Sequence, residues 1–384
     1  MKTILKVLII CACMVGILTS KANPNVKTEK LKSLKSITKT KKQTIKVALL
    51  LDTSNSMDGL IDQAKAQLWE IVNELSYAKC EEVRPNLQIA LYEYGNDNLN
   101  SLEGYIRQII PFTSDLDEIS KALFSLTTNG GNEFCGHVID TSIKQLNWGT
   151  NQNDLKLIFI AGNEPFTQGP VSYKDAITNA LEKDVSVNTI FCGDYNQGIS
   201  SYWKEGADLA KGNYMAINHN QATVHIASPY DDKILNLNKQ LNQTYIAYGK
   251  SGRQKMALQV EQDSNARGYS EANAVSRTVS KSSHLYNNAT WDLVDAEKEG
   301  VFNYDTFKQT DLPIELQGKS KKEIKAYLAE KRQERETIQN EIQELNLKRK
   351  MFIAEQSRDK ENLLENAMIE AVKKQASLKN YQWE

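Results

Sequence analysis

The stretch Ile45–Met57 constrains the fold more than any other part of this chain. Seven residues, Ile45-Lys46-Val47-Ala48-Leu49-Leu50-Leu51, run with a single polar interruption into Asp52-Thr53-Ser54-Asn55-Ser56. A strand buried on both faces reads as such an aliphatic run, and strands of this kind belong to parallel sheets covered by helices. In open α/β sheets, ligands gather beyond the carboxyl ends of the strands. Here that end presents one carboxylate and two hydroxyls at two-residue spacing, an all-oxygen set of the kind Mg²⁺ prefers. Ile61, Ala64, Leu68, Ile71 and Leu75 then recur at helical spacing, so the polar pentapeptide sits on a strand-to-helix turn.

The alternation continues downstream. Apolar strands are expected over 45–51, 87–94, 105–111, 155–161, 185–192 and 214–218, and helices over 60–78, 116–126, 136–146, 172–182 and 199–210. This order predicts an α/β, doubly wound, mostly parallel sheet with helices on both faces. The two strands between 87 and 111, with no helix between them, predict one antiparallel edge strand. Beyond Asn218 the pattern turns helical, over 231–243, 253–265 and 271–281, with Tyr286 and Trp291 as packing anchors of an extension docked on the sheet.

Pro313, then Ser320 and Glu323 as a capping box, open a long charged helix that runs without Pro or Gly to about Gln375. Ile324, Leu328, Ile338, Ile342, Leu345, Phe352 and Leu363 fall on alternating four-and-three positions, interrupted by Lys331, Arg335, Arg349 and Gln356. Two arrangements are open: an imperfect coiled coil that self-associates, or one solvated helix folded back on the globular part.

The Asp52-x-Ser54-x-Ser56 turn resembles the metal-ion-dependent adhesion site (MIDAS) of von Willebrand factor A (VWA) domains, a Rossmann-like family, and the strand and helix order to about Asn218 continues as that family requires. The resemblance implies a site completed from two later loops. At the second, Gly130-Gly131-Asn132-Glu133 occupies the place of the usual Gly-Gly-Thr, so Asn132 stands at the hydroxyl position with Glu133 beside it. At the third, Ala161-Gly162-Asn163-Glu164-Pro165 resembles Thr-Asp-Gly-Glu-Pro, which puts Gly162 where an aspartate is usual and leaves Asn163 and Glu164 to offer oxygens. The implied function is non-enzymatic. A cation, Mg²⁺ or else Mn²⁺ or Ca²⁺, held by these residues keeps an open position for an acidic side chain of a protein or cell-envelope ligand. The alternative is a scaffolding protein whose sheet domain has lost metal dependence and which associates through its C-terminal helix.

Export is expected. Lys2 and Lys6 precede the apolar run Val7–Leu18, and Ser20-Lys21-Ala22 presents small residues at a cleavage position, so residues 1–22 read as a signal peptide. That run is short of the roughly 20 residues a membrane span needs. It also continues past Cys13, which argues against a lipid-anchored cysteine and for a periplasmic or secreted product. The chain then divides into a basic flexible spacer (23–44), the sheet domain (45–220), the helical extension (221–312) and the charged helix (313–384).

Cys80, Cys135 and Cys192 remain in an oxidising compartment; Cys135 with Cys192 is the expected pair because both fall near strand carboxyl ends, against three buried thiols. A net charge of −1 gives no general pull toward nucleic acid. There is no phosphate-binding Gly-x-x-x-x-Gly-Lys loop, no Gly-x-Ser-x-Gly elbow and no zinc-type Cys/His spacing. His137, His219, His225 and His284 have no local motif marking a catalytic base.

Overall fold

In the computed structural model, which describes residues 42–221, 226–356 and 364–383, the central sheet has the order β4-β3-β1-β5-β6-β7. Its strands are β1 (Thr44–Asp52), β3 (Asn86–Tyr94), β4 (Ile106–Thr113), β5 (Leu155–Gly162), β6 (Ser186–Cys192) and β7 (Tyr214–Ile217). All pairings are parallel except that of β4, the expected antiparallel edge. The register sets Asp52 beside Tyr94 and Leu51 beside Ala161, which brings three strand ends to one pole.

The helices are α1 (Asp58–Leu75), α2 (Leu116–Phe124), α3 (Cys135–Gln145), α4 (Tyr173–Glu182), α5 (Tyr195–Ser200) and α6 (Trp203–Leu209), followed by α7 (Asp231–Asn242), α8 (Gly252–Tyr269), α9 (Glu271–Lys281), α10 (Leu293–Lys298), α11 (Lys321–Gln356) and α12 (Leu364–Ser377). A separate two-stranded antiparallel sheet joins β2 (Ala78–Cys80) to β8 (Tyr381–Trp383). The segment expected to be a signal peptide, nearly all of the expected basic spacer, His225 and Leu363 lie outside the described residues.

Because side chains alternate along a strand, β1 feeds two cores. Val47, Leu49 and Leu51 enter a core shared with α1, α2, α7, α9, α11 and α12, whereas Ala48 and Leu50 enter one shared with α3, α4 and α6. The same alternation corrects the expected disulfide. Cys192 lies in the first core and Cys135, at the start of α3, in the second, so the two thiols are separated by the sheet; Cys80, Cys135 and Cys192 are all free and buried. The single helix expected over 199–210 is divided by Tyr202, whose φ of 71° is left-handed. Ser201 is held there by the Phe166 N–H, which donates to its carbonyl at 2.9 Å.

The charged helix begins as the capping box predicts: the Ser320 N–H donates to Glu323 Oε2 (2.8 Å) and the Glu323 N–H to Ser320 Oγ (3.3 Å). Its seam does not face solvent. Ile324, Leu328, Ile338, Ile342 and Leu345 are buried within this chain, in part against Ile246, Leu293 and Val294 and in part on the core that contains α7 and α9. The apolar positions that suggested self-association are therefore already covered intramolecularly, while Phe352 is half-buried.

Two of the residues that interrupt the seam are its anchors. Arg335 donates to Asp292 Oδ2 at 2.6 Å, to Asp295 at 2.8 Å and to the Thr244 carbonyl at 2.6 Å, with its guanidinium 4.1 Å above the Tyr245 ring; Arg349 pairs with Asp231 at 3.0 Å. A second buried network ties α9 to the sheet domain, Arg277 meeting Asp117 on α2 at 2.8 Å and Asp263 on α8 at 2.6 Å.

α12 then lies on the open part of the first core against α1, β5, β6 and β7, burying Met368, Ala371, Val372 and Ala376. Sheet domain, extension and charged helix thus share one apolar core.

His284 gives this arrangement a pH signature. Its Nε2 lies 3.2 Å from the Pro85 carbonyl, its Nδ1 has no hydrogen-bond partner, and burial pulls its pKa from 6.5 to about 4. In the unfolded chain the imidazole takes up its proton near pH 6.5, whereas in the folded chain it does so only near 4, so acidification through this window favours unfolding. Stability should fall by up to roughly 3 kcal/mol between pH 7 and 4 on this account. Urea melts of His284→Gln should show a smaller loss; an identical pH profile would remove the assignment.

Candidate functional site

The turn after β1 is built to hold Asp52 still. Asp52 is fully buried, and its Oδ1 accepts the Ser54 N–H at 2.8 Å. Thr53 locks the turn to its neighbours: its N–H donates to the Tyr94 carbonyl (2.9 Å), and its carbonyl accepts from the Asn129 N–H (3.0 Å) and the Asn96 amide (3.3 Å). Ser54 Oγ and Ser56 Oγ lie 3.3 Å apart, and the Asn163 amide, arriving from the β5–α4 loop, donates to Ser56 Oγ at 3.1 Å. Three loops therefore converge on one polar cluster.

Of the second loop, Glu133 turns inward and Asn132 does not. Glu133 is 4% exposed, while Asn132 and Glu164 are exposed to solvent. The Glu133 backbone is fixed by its N–H donating to Gln168 Oε1 at 2.8 Å. Its side chain lies beside that of Asp52, both packed against Gly95. Burial, followed by the neighbouring Glu133, raises the Asp52 pKa well above the carboxylate range, and burial raises that of Glu133 as well. Two buried carboxylates in contact repel each other unless a proton or a cation lies between them.

Sequence reasoning missed the residues that make room for this pair. Gly95, directly after β3, has a φ of 78°, and a β-carbon there would stand 2.8 Å from both Asp52 Oδ1 and Glu133 Cγ. A glycine immediately following a strand that pairs with β1 was the available signal. Tyr94 was missed too, read only as a strand residue; its buried hydroxyl donates to the Ala161 carbonyl at 3.0 Å.

The donor set suits a hard divalent cation. Asp52 Oδ2 and Asn163 Oδ1 are buried and receive no hydrogen bond, and buried polar atoms in folded proteins nearly always have partners. With Ser54, Ser56 and Glu133 they form an all-oxygen surround. Among the described residues no group of three or more His, Cys, Asp or Glu side chains is placed to hold a metal, so any ion here depends on the hydroxyls and the amide as well as the two carboxylates.

Comparison with known proteins agrees with this topology. Residues 46–226 match the family model of the von Willebrand factor type A domain. The VWA match begins in β1 and runs past the end of β7, so it covers the whole six-stranded sheet and stops before α7. Among solved structures the chain is similar to the conserved hypothetical protein BatB from Bacteroides thetaiotaomicron, at 17% identity over 45% of this chain and 90% of that one, with a TM-score of 0.35. It is also similar to an aerotolerance-related membrane protein from Bacteroides fragilis NCTC 9343 (16% identity, 46% and 93% covered, TM-score 0.32). A third is the SpRpn10 VWA domain (15% identity, 47% and 99% covered, TM-score 0.32). No curated protein matches the chain. VWA domains are in general interaction modules rather than catalysts, and among the described residues no helix is long and apolar enough to cross a membrane.

Proposed function

We propose that this protein is an exported, non-enzymatic binding protein that holds a divalent cation at the pole of its VWA domain and uses it to capture a protein or cell-envelope ligand. The observation that carries this reading is the buried, donorless Oδ2 of Asp52 beside the Glu133 carboxyl, with the Ser54 and Ser56 hydroxyls completing the cluster. Mg²⁺, or Mn²⁺ or Ca²⁺ in its place, supplies a Lewis-acidic point that an oxygen ligand can join.

Asp52 neutralises and positions the charge, Ser54 and Ser56 add neutral oxygens, and Asn163 steers Ser56 through its 3.1 Å hydrogen bond. Asn132 and Glu164, exposed at the rim, can meet the partner or a water shell. A partner carboxylate entering this partly desolvated site gains more from the ion than it would in water. Export rests on the charged-then-apolar segment at residues 1–22.

Equilibrium dialysis of residues 23–384 against Mg²⁺ and Mn²⁺ tests the metal. Asp52→Ala should lose uptake almost entirely and Ser54→Ala should bind at least tenfold more weakly, because each removes a donor from a small shell. Equal uptake by wild type and both variants would refute the site.

A further inference from the structure

We infer that the negative charge missing from the third loop has been moved to the second, so that Glu133 does the work that an aspartate at position 162 would otherwise do. The inference rests on the cation reading above and adds to it which loop carries the second charge.

The geometry at position 162 leaves no space for a side chain. A β-carbon on Gly162 would stand 2.5 Å from the Tyr94 hydroxyl, 3.1 Å from Asp52 Oδ2 and 3.2 Å from Trp203 Cη2. Two of these three groups are held in place. The Tyr94 hydroxyl is tied to the Ala161 carbonyl at 3.0 Å, and the Trp203 indole N–H donates to the Glu164 carbonyl at 2.7 Å, with both rings buried. Packing at native density cannot absorb a carboxylate there without displacing an aromatic ring.

The opposite holds on the other side of Asp52. Gly95, with no β-carbon, leaves the space that the Glu133 side chain fills beside Asp52. Glu133, one methylene longer than aspartate, occupies that gap beside Asp52 and is buried there. Gly131 closes against the Gly95 backbone, and the Asp97 N–H donates to the Gly130 carbonyl at 2.5 Å, so the loop that carries Glu133 is pinned to the strand end that makes room for it. Gly162 where an aspartate is usual, and Glu133 beside the position where a threonine is usual, are the two halves of one exchange. The cation meets the same total protein charge, delivered from a different loop.

Titration calorimetry with Mn²⁺ alone tests this, using residues 23–384 and the variants Asp52→Ala, Glu133→Gln and Gly162→Asp. The expected result is that Glu133→Gln binds Mn²⁺ at least tenfold more weakly while its metal-free melting temperature is unchanged or higher, since a buried like-charge contact has been relieved. Gly162→Asp should lower the melting temperature and not tighten binding.

Tenfold weakening in Glu133→Gln together with loss in Asp52→Ala supports the exchange. Wild-type affinity in Glu133→Gln with loss in Asp52→Ala overturns it and leaves the cation site standing, and Gly162→Asp that folds normally and binds more tightly also overturns it. Absence of Mn²⁺ binding by the wild type overturns both readings. If Glu133→Gln does not fold, Glu133→Asp is read instead: withdrawal by one methylene should weaken binding, and unchanged affinity counts against the exchange.

Discussion

Ending the chain after Gln356, which removes α12 and β8, should abolish cooperative folding of the sheet domain, although the residues lost lie more than 100 positions beyond the end of the family match. Met368, Ala371, Val372 and Ala376 cover Leu49, Leu68, Ile71 and Leu75 in the first core, and Tyr381 and Trp383 complete the small sheet with Ala78–Cys80. At roughly 1.5–3 kcal/mol for each large buried apolar side chain, counting both those lost and those newly exposed, the cost is at least about 6 kcal/mol. That is comparable to the total stability of an ordinary domain. Circular dichroism melts check it. A truncated protein that melts cooperatively within a few degrees of the full chain would show that α12 is dispensable.

Arg335→Ala is expected to be the most damaging single substitution in the helical region, at about 3–5 kcal/mol. The guanidinium is 4% exposed and its partner Asp292 is fully buried, so removing the arginine strands a carboxylate between Ile246 and α10. The loss comes from the orphaned acid rather than from the missing pair. The double variant Arg335→Met/Asp292→Asn should therefore recover much of the deficit, because it removes both charges and keeps most of the volume. Denaturant melts of the two variants decide this; equal destabilisation of single and double variants would mean that packing on Tyr245, not charge, is what Arg335 provides.

The parallel sheet and its polar pole were legible from the sequence because they rest on local signals: aliphatic runs for strands, helical spacing between them, and Asp52-x-Ser54-x-Ser56 at the first strand end. The capping box at Ser320 and Glu323 was legible for the same reason. The fate of the charged helix was not. Arg335 and Arg349 look like breaks in a seam until Asp292 and Asp231, 43 and 118 residues away, are seen to meet them. The return of α12 to the sheet is a contact across the whole chain, which no local pattern announces. Cys135 and Cys192 were paired by their height along the strands, and the face of the sheet on which each lies was not weighed.

At the site, Asp52, Ser54 and Ser56 were legible as a motif, but the choice between Asn132 and Glu133 depended on a left-handed glycine at position 95. The vacancy of position 162 depended on a tyrosine hydroxyl from another strand.

The cation at the pole is the claim on which the functional account depends, and anomalous diffraction from crystals soaked in Mn²⁺ tests it most directly. The account predicts one strong peak enclosed by the side chains of Asp52, Ser54, Ser56 and Glu133. A map with no peak there, and with the Asp52 and Glu133 carboxyl groups in direct contact, would contradict it.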